Sequence, residues 1–210
     1  YLNLFMKVIA ISQRIQKIFK YNEFRDQVDN RLNLFIVKAG YLPVPIPNFK
    51  GCDKLGHASL LNWLKNISPD GIILSGGDDF GIYKIRDKNE IRIIKWSLEK
   101  KIPVLGICRG MQMINKYFGG TKVKIKDHAG TRHKIEGKYC KFRKSVNSFH
   151  NYGFNLKNIA EKLEIQTLSE DKTIESFKHK RSNIYGIMWH PEREKIFKKD
   201  DFLLMSLVFN

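Results

Sequence analysis

The chain has 210 residues, 42% of them hydrophobic, with three cysteines and a formal net charge of +17. That length suits one compact α/β domain, or at most two small ones. No apolar run is long enough to span a bilayer, and three cysteines without metal-ligand spacing exclude a disulfide framework and a cysteine metal site. The positive balance either attracts anions (nucleic acid, nucleotides, anionic sugars, membrane surfaces) or reflects the lysine bias of an AT-rich genome.

The start YLNLFMKVIAIS has no basic region leading to a small-residue cleavage site, so no signal peptide is expected. Met6 is the expected natural start, with residues 1–5 a remnant or flexible leader. MKVIAIS reads as a first buried strand. Residues 16–40 mix a helical pattern with a short apolar run that ends at Gly40. The three prolines of YLPVPIPNF point to an extended edge segment or loop. HASLLNWLKNIS is an amphipathic helix. Pro69-Asp70-Gly71 is a turn, GIILS a buried strand, and Gly76-Gly77-Asp78-Asp79 its end. Asp87 to Lys100 patterns as a helix, Pro103 to Ile107 as a strand, and Gln112 to Phe118 as a helix stopped by Gly119-Gly120. In the second half TKVKIK, SVNSFH, TIESFKH and IYGIMW read as strands, and Asp200 to Phe209 as a terminal helix. The alternation in the first half predicts a mainly parallel sheet with helices on both faces, within a single domain over 1–210.

The most informative stretch is VLGICRGMQMIN, residues 104–115. Cys108 stands between a strand and a helix with glycine two residues to either side. A sharp strand–turn–helix elbow crowds the neighbouring turns, and glycine relieves that crowding. The helix N-terminus then favours a thiolate, and the Arg109 N–H faces any oxyanion formed by attack. A buried cysteine closing a core strand has the same local composition. A nucleophilic cysteine needs a base with an orienter. His190, in IYGIMWHPE, has Glu192 two residues on, across a proline that fixes the local backbone. A capped strand end accounts equally well for His-Pro-Glu alone. Gln112, one helical turn beyond Cys108, is within reach of a bound acyl group or is an ordinary helix residue.

Taken together, Ser12-Gln13-Arg14, GGDD (76–79), RDKNE (86–90), LGICRGMQMIN, GGTKV (119–123), VNSFH (146–150) and WHPE (189–192) resemble the class I glutamine amidotransferase superfamily, closest to its γ-glutamyl hydrolase (peptidase C26) branch. The resemblance implies a flavodoxin-like fold with a mainly parallel central sheet, helices on both faces and a smaller antiparallel β region. It implies a Cys108–His190–Glu192 triad and an oxyanion hole from the N–H groups of Gly77 and Arg109. It also implies substrate contacts from Gly76, Gln112, Asn147, Ser148, Phe149, His150 and Arg14. His150 lacks the carboxylate orienter that His190 has. Cleavage of a γ-glutamyl amide through a γ-glutamyl thioester would follow, with no cofactor and no metal.

The leaving group is the open question. The chain also resembles enzymes that cleave γ-glutamyl-CDP-amidate during bacterial capsule modification; that resemblance implies cytidine diphosphoramidate as the leaving group, which the positive balance suits, with Arg14, Arg132 and His133 as candidate phosphate contacts. The alternatives are a γ-glutamyl-γ-aminobutyrate-type substrate and a glutaminase component feeding ammonia to a separate synthase. A further alternative is an inactive scaffold that binds nucleic acid, against which the scattered lysines count. The expected partner is a small anionic γ-glutamyl compound in the cytoplasm, without nucleic acid or membrane, and with a homodimer left open.

Overall fold

The computed structural model describes residues 6–49, 54–137 and 145–210. Residues 1–5, Cys52 and Cys140 lie outside the described residues. The chain runs β1 (Val8–Ser12), β2 (Arg14–Ile18), β3 (Glu23–Gln27), α1 (Asn30–Lys38), β4 (Leu42–Ile46), α2 (Lys54–Ile67), β5 (Gly71–Leu74), α3 (Lys84–Lys100), β6 (Val104–Ile107) and α4 (Arg109–Tyr117). It continues with β7 (Val123–Lys124), β8 (Ala129–Gly137), β9 (Ser145–Phe149), β10 (Tyr152–Gly153), β11 (Leu163–Ser169), β12 (Ile174–His179), β13 (Ile184–Ile187) and α5 (Lys199–Phe209).

Nine strands form one sheet in the order β4-β1-β5-β6-β13-β12-β11-β8-β9. β4, β1, β5, β6 and β13 are parallel neighbours, and from β13 onward the pairings are antiparallel. The antiparallel region is therefore a continuation of the central sheet rather than a separate patch. β5 and β6 are buried along their whole length. A strand covered on both faces needs such an unbroken apolar run. Pro43 and Pro45 sit in β4 at the sheet edge, where a missing N–H breaks no second ladder. Among the described residues no helix is long and apolar enough to cross a membrane.

The sequence reading differs from the structure around residues 14–27. β2 and β3 form an antiparallel hairpin, with Arg14 opposite Gln27 and Ile18 opposite Glu23. Ile15, Ile18 and Phe19 have helical spacing, but β3 is exposed at all five positions and offers no apolar face to bury. The helix begins only after Asp29, whose side chain caps it by accepting from the Arg31 N–H at 2.8 Å. β8 and β11 also escaped the reading. β8 is largely exposed and polar, and its order comes from pairing on both sides.

Both glycines flanking Cys108 are required by close approach. A Cβ on Gly110 would stand 2.0 Å from the Leu74 carbonyl oxygen, and one on Gly106 would stand 2.6 Å from Gly110 C and Met111 N. α4 is thereby seated directly against β5 and β6. Gly110→Ala adds a methyl where backbone blocks it. It should cost about 1–3 kcal/mol, the usual range for overpacking, read as a lowered midpoint in thermal denaturation. An unchanged midpoint would show that the elbow is not sterically confined.

Candidate active site at the Cys108 elbow

Cys108 extends β6 by one rung, its N–H donating to the Ile187 carbonyl of β13 at 2.8 Å. Its own carbonyl accepts from the Gln112 N–H at 3.0 Å and so opens α4. Serving both roles forces φ 51° and ψ −104°, a conformation that L-residues rarely adopt. The side chain is buried at the N-terminus of α4.

β13 lies beside β6 and runs parallel to it, so the chain leaving β13 arrives next to the elbow. His190 Nδ1 lies 2.6 Å from Glu192 Oε1, and the ring stands close enough to Cys108 for the two to interact electrostatically. The ring packs over Gly76, where a Cβ would come within 2.7 Å of Cε1. Burial disfavours charge on this imidazole, but the charges of Cys108 and Glu192 outweigh it and push His190 up to about 9. Asn147 fixes the His190 backbone from both sides. It donates to the His190 carbonyl at 2.8 Å and accepts from the His190 N–H at 2.9 Å. Arg31 donates to the carbonyls of Glu192 (2.8 Å) and Glu194, closing the turn that brings Glu192 back to the ring.

Across the cleft, the Gly76–Gly77 peptide is oriented by buried arginine. Arg86 Nη2 donates to the carbonyls of Ser75 (2.8 Å) and Gly76 (3.0 Å), and Arg14 Nε to that of Gly76 (3.3 Å). In a trans peptide the N–H points opposite to the carbonyl, so the Gly77 N–H is not engaged by the arginines that hold the Gly76 carbonyl, and Gly77 lines the cleft. Gly77 has φ 143°, and a Cβ there would meet Arg86 Nη1 at 2.4 Å. Arg86 pairs with Glu90 at 2.9 Å. Arg109 reaches back from the elbow to both Glu90 and Asp87. Burial favours a neutral Glu90, but the Arg109 and Arg86 guanidiniums hold it below the usual carboxylate range. This network underlies RDKNE. Its role was not read from the sequence, although a run of charges on a helix beside the elbow was the available signal.

A cleft of about 240 Å³ is bounded by Gly77, Cys108, Arg109, Gln112, Phe149 and Tyr152, with His150 at its wall. Gln112 donates to the Tyr152 carbonyl at 2.9 Å. Phe149 is 41% exposed and stacks under the Arg193 guanidinium. The side chains of Asn147 and Ser148 turn inward, the first to the His190 backbone and the second to the His128 carbonyl. That leaves backbone groups as their means of touching a substrate. His150 is held by burial and by nearby His128 at about 3, in contrast to His190. Arg132 lies against Glu194 at 2.8 Å and His133 against Glu175, both outside the cleft lining.

A parallel α/β sheet with a strained cysteine at a strand–helix elbow and a carboxylate-oriented histidine defines the class of site. Residues 49–205 match the model of the family described as Glutamine amidotransferase class-I, and the chain belongs to that family. It is 46% identical over 129 residues to a gamma-glutamyl-CDP-amidate hydrolase of Campylobacter jejuni, covering 59% of this chain and 62% of that protein's length. It is 38% identical over 133 residues to a glutamine-hydrolyzing GMP synthase subunit of Methanococcus vannielii, covering 61% of this chain and 67% of that one. Among solved structures, a protein from Thermoplasma acidophilum described as a GMP synthase subunit shares the fold. The TM-score is 0.69 at 22% identity, over 97% of this chain and 93% of that one.

The raised His190 value makes stability depend on pH. An imidazole that gains partners on folding contributes stability fully present below its unfolded value near 6.5, and that contribution is lost as pH rises through about 9. Chemical denaturation of the protein and of His190→Gln at pH 6, 7.5 and 9 should give a stability difference that shrinks toward pH 9. A difference that grows with pH would place the proton elsewhere.

Proposed function

We propose that this protein is a cysteine-dependent amide hydrolase of the γ-glutamyl type, with Cys108 as nucleophile, His190 as general acid and base, and Glu192 as its orienter. The observation that carries the reading is that His190, hydrogen-bonded to Glu192, stands beside the strained Cys108 at the end of two adjacent parallel strands. In this reading the Cys108 sulfur attacks the δ-carbonyl, and the N–H groups of Gly77 and Arg109 receive the oxyanion. His190 gives its proton to the departing nitrogen, leaving a γ-glutamyl thioester. A water molecule, losing its proton to His190, then attacks the thioester. L-glutamate leaves and the thiol is restored. The glutamyl part lies between Gln112 and the 147–150 segment.

The leaving group proposed is a nucleoside diphosphoramidate, with γ-glutamyl-CDP-amidate as the substrate. The similarity to the Campylobacter protein supports it. So does a polar pocket of about 260 Å³ next to the Gly77 loop, lined by Arg14, Gln16, Lys17, Gln27 and Tyr83. Its two cations outnumber the one carboxylate of the lining, Asp78, which suits an anion, and Asp78 also lines the cysteine cleft and so joins the two. The similarity to the Methanococcus GMP synthase subunit favours a second reading, in which a glutaminase delivers ammonia to a synthase partner.

Both substrates share the glutamyl half, so discrimination must come from the leaving-group side. Each charge-assisted contact formed in the transition state adds roughly 1.5–3 kcal/mol, so two give a preference on the order of a hundredfold or more. The isolated protein should show its highest kcat/KM with γ-glutamyl-CDP-amidate, ahead of γ-glutamyl-γ-aminobutyrate and glutamine. Lys17→Ala should lower that preference roughly tenfold or more. Equal values for the three substrates would remove the nucleotide reading. Glutamine hydrolysis that appears only with an added synthase would favour the second one.

A further inference from the structure

Beside the 147–150 segment lies a cluster of groups that, His150 apart, the proposed chemistry does not use. Glu175, on β12, is fully buried. Three histidine nitrogens converge on its Oε1: His133 Nε2 at 3.3 Å, His128 Nδ1 at 3.6 Å and His150 Nε2 at 3.7 Å. None of these nitrogens, and neither Glu175 oxygen, has a hydrogen-bond partner among the described residues. A buried carboxylate without a donor is costly, and native interiors rarely leave one so.

The spacing has an explanation. Four ligands about 2.0–2.2 Å from a tetrahedral ion stand roughly 3.3–3.6 Å from one another. The distances around Glu175 Oε1 are close to the edges of such a tetrahedron. Donor atoms of His128, His133 and Glu175 all lie within 4.8 Å of one another. The far nitrogen of His128, Nε2, meets Asp171 Oδ2 at 3.0 Å. Asp171 is itself fixed by the Ser169 and Thr173 hydroxyls and the Thr173 N–H. A carboxylate that orients a histidine from behind is the usual outer support of a metal ligand.

We propose that His128, His133 and Glu175 form a three-ligand binding site for a divalent transition metal of the zinc class, with His150 beside it at 3.7 Å from Glu175. Mixed imidazole and carboxylate donors suit that class. The ion would tie the residue preceding β8, β8 itself and β12 into one unit. His150 follows Phe149 directly, and the Ser148 hydroxyl donates to the His128 carbonyl, so the ion would stiffen the wall of the cleft. The site is structural and takes no part in bond cleavage.

The test uses cobalt(II) and zinc(II) on the full chain carrying Cys108→Ser, so that the cleft thiol cannot ligate. The expected result is one cobalt per chain with visible bands of tetrahedral intensity, no thiolate charge-transfer band, and displacement by zinc. His133→Ala and, separately, Glu175→Gln in that background should weaken zinc binding at least a hundredfold in chelator competition. Should both variants fail to fold, the spectrum of the Cys108→Ser protein still decides. Absence of stoichiometric uptake at micromolar free metal, a thiolate band, or affinity unchanged in folded variants would overturn the site.

Discussion

The backbone of Cys108, the proposed nucleophile, is held at φ 51°, a state that costs on the order of 1–3 kcal/mol and persists only where its surroundings overdetermine it. Those surroundings are hydrogen bonds and close packing. The residue is the last rung of β6 against β13 and the first carbonyl of α4, and both obligations are met only by the strained turn. Gly106 and Gly110 let α4 approach the sheet closely enough for this to hold. The strain is thus offset by the burial of β5, β6 and α4, the most completely buried part of the molecule.

The same packing organises the charges. Arg86, Arg109, Glu90 and Asp87 are interior groups that would be expensive singly and are tolerable as a charge-balanced set. Through Arg86 the set grips the Gly76 carbonyl, and through Arg109 it grips the first residue of α4. The two N–H groups assigned to the oxyanion are therefore positioned from behind by one network. Their spacing depends on ion pairs rather than on loop rigidity. Asn147 and Arg31 do the corresponding work for the His190 turn.

Local, strongly patterned features were legible in the sequence. The glycine-flanked Cys108, the His-Pro-Glu turn and the continuous apolar runs of β5 and β6 each carry their signal within a few residues. What was not legible depends on pairing between distant segments. Arg31 with Glu192, Arg132 with Glu194 and Asn147 with His190 are separated by 161, 62 and 43 positions, and no local pattern announces them. The histidine–glutamate cluster is scattered over residues 128 to 175 for the same reason. The β2–β3 hairpin misled in the opposite way, since its helical apolar spacing was local and its true order came from cross-strand pairing.

The central claim is that the strained sulfur forms the covalent bond to substrate. Rapid acid quenching of the protein during turnover of a γ-glutamyl amide, followed by intact mass and peptide mapping, tests it most directly. The account predicts a mass increase of one glutamyl group on the peptide carrying Cys108, and loss of both adduct and turnover in Cys108→Ala. Turnover without an adduct on that peptide, or with the adduct on another residue, would contradict it.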